Sequence, residues 1–491
     1  MTDSPTPQGS LRRRPRWRTL AFHLTALVVV LFPLMLAEML LRLWVAAPET
    51  RWDDPYVTFS NPSPLFVADA TGAQFETAPN RLVAFRRQSF AARKPPDTFR
   101  VFCLGGSTVQ GRPYSVETAF ATWLQLGLEA ARPERRWEVI NCGGISYASY
   151  RLVPIVRELL SYEPDLFILY TGHNEFLEDR TYAHVKEVPR ILVRLHRVML
   201  GLRSYALADR WLANRNRRRA APTVMGPEVQ TKLDLAAGLD AYRRDPTWHR
   251  SIIAHFSHNL NIMAQMAQDA GIPMILVNPV VNLKDCPPFK SEFRTDLSAG
   301  DAQQVRDLWN RARALDWTAA DIHAKIELLE QAAALDSRHA WLLFLIGTGY
   351  ERMGQWAEAK PWFVRAKDED ICPLRILEPM RGIIHDIATQ WKLHLIDVQT
   401  MIEARTEDGI SGDEWLLDHV HPTIAGHQLI AEALLQTMKE MEWVRPSDGW
   451  EARRDGLWQK HLHSLNEAYY AQGIARLKRL KDWSRGRIHQ K

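Results

Sequence analysis

The stretch FCLGGSTVQG, residues 102–111, is an apolar run that stops at two glycines, a serine and a threonine. An apolar run of this length is typical of a buried β-strand, and the glycines mark the place where the strand ends. Ser107 is therefore predicted to lie in a sharp turn at the end of a strand. A hydroxyl group in that position can become a nucleophile if another part of the chain supplies a base.

The sequence around this stretch alternates between strand and helix patterns. Strands are predicted in FRVFCLGG, RWEVINCGG and PDLFILYTGHNE, with amphipathic helices between them. Two later apolar runs, IPMILVNPVVNLKDCPPF and WKLHLIDVQT, predict a fourth and a fifth strand. This alternation predicts an α/β domain with a parallel sheet that is covered by helices on both faces. In such a domain the functional site lies at the carboxyl ends of the strands.

Composition limits the class of protein and its partners. The chain has 491 residues, more than one typical domain, and a hydrophobic content of 46% that allows a sizeable core. Its formal net charge of +5 is small, and the mixing of basic and acidic residues argues against nucleic-acid binding. The four cysteines lack metal-site spacing. Two of them, Cys286 and Cys372, could form a disulfide, and free buried thiols are the alternative.

The N-terminal segment predicts a membrane anchor. Residues 1–18 form a basic tail rich in arginine, and the apolar stretch of about 19 residues that follows is long enough to cross a hydrocarbon core. We predict a transmembrane helix over residues 19–44, in which Glu38 and Arg42 pair. The arginines place the N-terminus in the cytoplasm and the remaining chain outside it, in a periplasmic or extracellular location. A cleaved signal peptide is the alternative, but VAAP at residues 45–48 is a poor cleavage site.

A segment of the chain between the fourth and fifth strands changes character. In residues 291–372, alanine, leucine and tryptophan recur at helical spacing without a strand pattern. LIGTGYERMGQWAEAKPWFVRA resembles a tetratricopeptide repeat, and Ala332 and Ala366 are 34 residues apart, which is the period of that repeat. We therefore predict an α-helical insertion similar to tetratricopeptide repeats. It is either a docking surface for a peptide or protein partner, or a structural brace.

The remaining segments complete the predicted organisation. Residues 45–95 are rich in Pro, Asn, Asp and Arg with little periodicity, so we predict a stalk or linker with edge elements that lead into the domain. The α/β domain then consists of residues 96–290 and 373–445. Residues 446–491 are predicted to form a C-terminal helical extension, because NEAYYAQGIARLKRLKDW has an amphipathic pattern.

A nucleophilic serine needs a base, a carboxylate that orients the base, and donors for the developing oxyanion. The base is predicted in LLDHVHPT, where Asp418 and His421 are three residues apart in a tight turn. The carboxylate can accept a hydrogen bond from the imidazole while the other ring nitrogen faces the serine. His419 is a rival base in the same turn, but its neighbouring position directs its side chain elsewhere, which favours His421.

Candidate oxyanion donors follow the second and third strands. Asn174 can donate from its side-chain amide, although an Asx turn or a helix cap is an alternative role for it. Backbone amides between residues 144 and 146 in NCGGISYAS are a second source. Three further residues, Arg151, Asn278 and Arg375, fall near predicted strand exits and could line the pocket. Structural salt bridges are the simpler explanation for the two arginines.

Four short motifs in this order resemble those of the SGNH, or GDSL-like, hydrolase superfamily. LGGST is similar to the first block of that family, INCGGISYASYR to the second, TGHNE to the third and DHVHP to the last. The Gly-x-Ser-x-Gly elbow of the α/β-hydrolases is absent around Ser107. The resemblance covers about residues 96–290 and 373–445. It implies a three-layer α/β/α fold, no metal and no organic cofactor.

The resemblance also implies roles for individual residues. It makes Ser107 the nucleophile, with Asp418 and His421 as its catalytic partners. It implies that the oxyanion accepts hydrogen bonds from the backbone amides of Ser107 and Ser146 and from the side chain of Asn174.

Two positions depart from the family pattern. The glycine of the second block aligns best with Ser146, and Gly144 is the fallback for the backbone donor. In the third block, Glu175 stands where aspartate is usual.

The sequence therefore predicts a membrane-anchored serine esterase that acts outside the cytoplasm. The family analogy suggests acetyl esters of cell-envelope glycans as the substrate class. An O-acyltransferase of envelope polysaccharide on the same fold is one alternative, and a non-catalytic scaffold with a tetratricopeptide-like segment is another. The predicted partners are an ester or acylated glycan substrate, the lipid bilayer and a protein at the helical insertion, but no nucleic acid.

Overall fold

The chain divides into two compact units, which consist of Met1–Pro55 with Ala183–Pro222 and of Tyr56–Tyr182 with Thr223–Lys491. The computed structural model describes residues 54, 56–60, 62–182 and 223–486, together with scattered positions in 25–43 and 199–208. The strands and helices named below all belong to the second unit.

The strands of this unit are short except for two that lie side by side. In chain order they are β1 (Val57–Phe59), β2 (Phe66–Ala68), β3 (Gln74–Thr77), β4 (Ser89–Ala91), β5 (Thr98–Gly105), β6 (Arg136–Gly143), β7 (Leu166–Tyr170), β8 (Thr223–Met225), β9 (Met274–Asn278) and β10 (His394–Asp397).

The helices of this unit range from four residues to more than twenty. In chain order they are α1 (Ser107–Gln110), α2 (Phe120–Ala131), α3 (Ser149–Leu159), α4 (Pro246–Asp269), α5 (Ala299–Arg313), α6 (Ile322–Leu335), α7 (Ala340–Arg352), α8 (Trp356–Asp368), α9 (Glu378–Trp391), α10 (Val398–Glu403), α11 (Ile424–Glu440), α12 (Trp450–Ser464) and α13 (Glu467–Ser484).

The central sheet is parallel and has the strand order β10-β9-β7-β5-β6. Strands β5, β7 and β9 are buried along their whole length, as expected for parallel strands with helices on both faces. Alternate residues of β5, namely Phe99, Val101 and Cys103, share a core with α2, α11 and α12. Helices α3, α4 and α9 form another packed group. The predicted α/β fold with five parallel strands is thus confirmed.

Within the segment predicted as a stalk with edge elements, residues 66–91 pack against the α/β domain. Strands β2, β3 and β4 form an antiparallel sheet, and Phe90 packs edge-on against Phe102 of β5 at 5.5 Å between ring centroids. The backbone N–H groups of Leu65 and Phe66 donate to the Glu158 carboxylate of α3 at 2.7 and 2.9 Å. Strands of three or four residues are too short to give a clear alternating pattern, so the sequence did not indicate them.

A helical region lies between β9 and β10, where the sequence predicts an insertion. Helix α5 packs on α6, α6 on α7, and α7 on α8. The helices share a core of their own that includes Leu329, Leu343 and Ile346. That these helices are tetratricopeptide repeats stays a prediction.

The C-terminal helices α12 and α13 are part of the second unit. Trp458 of α12 is buried in the core of the α/β domain, and its Nε1 donates to the carbonyl of Trp123 at 3.1 Å. The Tyr469 hydroxyl of α13 accepts from the Ser115 backbone N–H at 3.3 Å. These contacts attach the predicted extension to the segment that follows α1.

The first unit contains the segment that is predicted to be the membrane anchor. The Arg42 Nε donates to the Glu38 carboxylate at 3.0 Å, so the predicted pair is confirmed. In the part of the chain that the structure describes, no helix combines the length and the apolar character needed to span a bilayer. The predicted tail, residues 1–18, and much of the predicted span, residues 19–44, lie outside the described residues, so both stay predictions.

All four cysteines are free thiols. Of the two alternatives for Cys286 and Cys372, the structure therefore contains separate thiols, and burial raises the pKa of both.

Candidate active site

Ser107 lies at the carboxyl end of β5 and begins the short helix α1. The preceding Gly106 makes room for Asn174, because a Cβ atom there would collide with the Asn174 side-chain amide unless that amide moved. Two amide side chains hold α1 in place: Asn141 donates to the Val109 carbonyl and Gln110 donates to the Ala84 carbonyl, each at 2.7 Å. The serine is therefore fixed at the edge of the sheet, where it is half-buried.

The turn that carries Asp418 and His421 is closed by backbone hydrogen bonds. The Leu417 N–H donates to the His421 carbonyl at 2.8 Å, and Leu416 and Pro422 form an isolated β-bridge. The Asp418 Oδ1 accepts from the backbone N–H groups of Val420 and His421, each at 2.9 Å. The carboxylate is thus held on the same side of the turn as the imidazole.

The structure brings the three predicted catalytic residues together. The His421 Nε2 lies 2.8 Å from the Ser107 Oγ, although the two residues are 314 positions apart. The His421 Nδ1 lies 2.8 Å from the Asp418 Oδ2. Because a carboxylate only accepts hydrogen bonds, we assign the proton to Nδ1, which leaves Nε2 to accept from the serine hydroxyl. Asp418 and His421 are only 6% and 2% exposed.

The charge on this site is set by its surroundings. Burial by itself raises the pKa of the Asp418 carboxyl, but His421, His419 and the hydrogen bonds that it accepts bring its pKa below the ordinary value. Burial lowers the pKa of His419 to about 4, so that imidazole is neutral near pH 7. The His419 ring packs edge-on against Phe289 at 5.3 Å, and the ring that contacts Ser107 is that of His421.

The two candidate backbone donors, Gly144 and Ser146, differ in whether their N–H groups already have a hydrogen-bond partner. The Gly144 N–H donates to the Gly105 carbonyl at 3.0 Å and is therefore occupied. The Ser146 N–H has no hydrogen-bond partner among the described residues, which favours Ser146 over Gly144. Ser146 has a φ of 60°, in the left-handed region that favours glycine. Glycine would adopt this backbone conformation without the strain that the Cβ atom of Ser146 causes.

Asn174 is positioned beside the serine turn. Its Nδ2 donates to the Tyr147 carbonyl at 3.0 Å, next in the chain to Ser146. A side-chain amide has two N–H groups, so one remains for a ligand. As the first residue of α1, Ser107 also has a backbone N–H without an acceptor inside the helix. Three donors therefore come from the segments that surround the Ser107 hydroxyl.

Glu175, which replaces the usual aspartate of the third block, has a structural role. It accepts hydrogen bonds from the Ser149 N–H at 2.7 Å and from the Ser149 Oγ at 2.9 Å, so it caps α3. Asn259 donates to the same Ser149 Oγ at 3.0 Å. Burial raises the pKa of Glu175. The network supports the segment between Ser146 and α3 and does not enter the triad.

The other residues predicted near strand exits make structural contacts. Arg151 pairs with the buried Glu178 at 2.6 Å, and Arg375 lies 3.7 Å from Asp370. The Asn278 side chain donates to the Asp397 carboxylate of β10 at 3.2 Å. These contacts hold the framework of the domain together and do not involve the triad.

Two residues that support the site do not stand out in the sequence. Asn282 donates to the Asp418 carbonyl at 3.3 Å, and its backbone N–H donates to the His419 carbonyl at 3.0 Å, so it supports the catalytic turn. His173 is buried, and its Nδ1 accepts from the Ile376 N–H at 3.3 Å. Burial and the neighbouring His419 and His421 keep the pKa of His173 well below its usual value. Both residues lie in segments that follow predicted strands. Polar residues are common in such segments for structural reasons, so the sequence did not single out these two.

Comparison with solved structures finds weak similarities. The lipase/acylhydrolase from Enterococcus faecalis is 12% identical over 72% of this chain and 100% of its own, with a TM-score of 0.32. The acetylxylan esterase Axe2 from Geobacillus stearothermophilus is 11% identical over 70% and 93%, also with a TM-score of 0.32. Similarities of this size carry no argument about activity. No family model and no curated protein matches the sequence.

Proposed function

We propose that this protein is an SGNH-type serine esterase that hydrolyses an ester through an acyl-enzyme. The observation that carries the proposal is the hydrogen-bonded chain from the Ser107 Oγ through His421 to Asp418, with 2.8 Å at each step. A serine hydroxyl needs a base within this distance to become a nucleophile at neutral pH. The order of the sequence motifs supports the same assignment.

The first half of the reaction forms an acyl-enzyme. The Ser107 Oγ attacks the ester carbonyl carbon while its proton passes to the His421 Nε2. Asp418 stabilises the imidazolium that forms. The oxyanion accepts hydrogen bonds from the N–H groups of Ser107 and Ser146 and from the Asn174 side chain. When the tetrahedral intermediate collapses, the imidazolium gives its proton to the departing alcohol oxygen.

The second half releases the acid. A water molecule gives a proton to the His421 Nε2 as its oxygen attacks the acyl carbon. The same three donors stabilise the second oxyanion. Its collapse breaks the bond to the Ser107 Oγ, which recovers the proton from His421. The products are the carboxylic acid and the free enzyme.

We propose an acyl ester of a cell-envelope glycan as the substrate, on the basis of the motif resemblance. In an acyltransferase the same acyl-enzyme would be resolved by a glycan hydroxyl instead of water. Product analysis with an acetylated glycan as donor and an unacetylated glycan as acceptor separates the two reactions. Net release of acetate supports hydrolysis, and net transfer of acetyl groups to the acceptor contradicts it.

The test of the proposal is the Ser107→Ala variant assayed on 4-nitrophenyl acetate. We expect it to lose essentially all activity, by about 10⁶-fold as for other triad serines. Ser161→Ala, which changes an exposed serine in the turn that follows α3, is the matched control and keeps full activity. A fluorophosphonate adduct mapped by mass spectrometry is expected on Ser107. Full activity in Ser107→Ala, or an adduct on a different residue, would overturn the assignment.

We also propose that residues 19–44 anchor the protein and that the α/β domain lies outside the cytoplasm. The support is the arginine-rich tail followed by an apolar stretch. In membrane vesicles that contain the full chain, protease added to the cytoplasmic side is expected to spare the α/β domain. Extraction of the protein from membranes by carbonate would contradict the anchor.

A further inference from the structure

Four arginines near the serine turn have no ion-pair partner among the described residues. Arg86 precedes β4, Arg112 follows α1, and Arg476 and Arg479 lie one turn apart on α13. Within the described residues, no carboxylate lies at ion-pair distance from any of the four, and Arg479 is exposed. The Nε atoms of Arg86 and Arg112 are buried without a hydrogen-bond partner. This arginine cluster, Arg86, Arg112, Arg476 and Arg479, is therefore a concentrated positive charge.

The segments that carry the cluster are hydrogen-bonded to the site. The Arg112 N–H donates to the Ser107 carbonyl at 3.0 Å. The Arg476 Nη1 donates to the Tyr114 carbonyl at 2.7 Å, which attaches α13 to the same loop. Arg86 comes two residues after Ala84, whose carbonyl accepts from the Gln110 side chain of α1 at 2.7 Å. Hydrogen bonds thus connect the segments that carry the cluster to α1, which carries Ser107.

The charges of the cluster act on one another. Burial together with repulsion from Arg86, Arg476 and Arg479 lowers the pKa of Arg112 to about 10. Burial, Arg86 and Arg479 lower the pKa of Arg476 as well, while Tyr469 and Glu117 act in the opposite direction. Like charges held together raise the free energy of the folded state unless an anion neutralises them. An anionic ligand would relieve that repulsion.

Aromatic rings lie next to these charges. Tyr114 stacks on Tyr469 with 5.9 Å between ring centroids, and Tyr470 packs edge-on against both. All three rings are half-buried, so part of each faces solvent. Tyrosine combines a flat apolar surface with a hydroxyl that can donate and accept, which suits the faces and hydroxyl groups of sugar rings.

We propose that the arginine cluster binds the negatively charged groups of the substrate, so that the enzyme prefers acyl esters of acidic glycans to those of neutral glycans. This inference rests on the proposed esterase function. Planar guanidinium groups suit the carboxylates of such a polymer, because they donate two parallel hydrogen bonds to one carboxylate. The cluster is a specificity site that acts through substrate binding and leaves the triad unchanged.

The kinetic test compares three acetyl esters: acetylated polygalacturonate, acetylated xylan and 4-nitrophenyl acetate. In Arg476→Gln/Arg479→Gln we expect kcat/KM on the acidic glycan to fall about 10-fold to 100-fold, from the usual strength of charged hydrogen bonds. The values on the two neutral esters are expected to stay within about twofold, because neither carries a group that the cluster would bind. Lys478→Gln, which removes one positive charge from the same helix outside the cluster, is the matched control for the single variant Arg479→Gln and keeps the acidic-glycan value.

A binding test keeps the inference separate from the catalytic proposal. Ser107→Ala protein is mixed with unacetylated polygalacturonate, with xylan and with phosphatidylglycerol vesicles. We expect cluster-dependent binding to polygalacturonate that weakens with added salt, and none to xylan. If no ester is hydrolysed but this binding is seen, the esterase proposal fails and the anion site stands.

Several results would overturn the anion site. One is an equal effect of Lys478→Gln, and another is an equal loss on the acidic and neutral esters. A third is cluster-dependent binding to the vesicles without binding to polygalacturonate, which would indicate a membrane surface. If the double variant does not fold, the single variant Arg479→Gln, which changes an exposed side chain, is expected to show a smaller loss in the same direction.

Discussion

The edge of the sheet at Ser107 and the helical region from α5 to α8 both depend on glycines that admit a large neighbour. At Gly106 the neighbour is the side-chain amide of Asn174, so the missing side chain brings a hydrogen-bond donor close to the nucleophile. At Gly349 of α7 the neighbour is Ile326 of α6, so the missing side chain brings two apolar helix surfaces together. Glycine therefore positions a hydrogen-bond donor at the sheet edge, whereas in the helical region it allows two helices to pack closely.

This comparison predicts that substitutions at the sheet edge change activity and those in the helical region change stability. Ser107→Ala, with the largest expected effect on activity, should leave the midpoint of thermal unfolding nearly unchanged, because the side chain is half-buried and small. A strongly destabilised Ser107→Ala protein would weaken the contrast between the two regions.

The next largest effect is expected for Asp418→Asn, with a fall in kcat of about 10⁴-fold. The asparagine amide can donate to Nδ1, which would move the imidazole proton to Nε2 and remove the acceptor for the serine hydroxyl. Steady-state kinetics on 4-nitrophenyl acetate measure the change. A loss of less than about tenfold would show that the orientation of His421 does not depend on the carboxylate.

A smaller loss of activity is expected for Asn174→Ala. Removal of one side-chain donor from an oxyanion hole lowers kcat by about 10²-fold to 10³-fold, with little change in KM. Asn80→Ala, in an exposed segment where the side chain bonds to Ser63, is the control. If KM rises and kcat stays constant, Asn174 binds the ground state and is not an oxyanion donor.

In the helical region, Gly349→Val is expected to lower the free energy of unfolding by about 1–3 kcal/mol, because the new side chain meets Ile326. The activity per folded molecule should stay the same. Gly382→Val is the matched control and should not be destabilised, because a Cβ atom added at this helical glycine meets nothing within 4 Å. A loss of activity in folded Gly349→Val protein would show that the helical region acts on the site.

The smallest effect is expected for Ser146→Gly. Relief of the left-handed conformation stabilises the fold by about 1–2 kcal/mol, while the more flexible unfolded chain offsets about 0.4–1 kcal/mol. The net change in the free energy of unfolding, measured by denaturant titration, should lie between zero and about 1.6 kcal/mol in favour of glycine. The backbone donor is kept, so kcat should be maintained, and a fall of about tenfold would assign a role to the Ser146 hydroxyl.

The sequence predicted those parts of the molecule that have strong local patterns. The five strands are apolar runs with clear ends, and the Asp418–His421 spacing defines a turn that can be recognised without its partner. The sheet β2–β4 was missed because its strands are short and its stability comes from contacts such as Phe90 with Phe102.

Other features depend on contacts between distant segments. Glu175 could not be assigned to Ser149, because its role depends on how α3 begins. The arginine cluster joins residues from the segments next to β4 and α1 with residues of α13, and no short stretch of sequence contains it. The choice between Gly144 and Ser146 needed the backbone hydrogen bonds of both.

The separation of 314 residues between Ser107 and His421 has a consequence for synthesis of the protein. Ser107 is synthesised early, but the turn that contains His421 is synthesised only after the whole helical region. The growing chain therefore carries an unactivated serine for most of translation. The proposed triad can therefore assemble only late in synthesis, after the turn that carries Asp418 and His421 has been made.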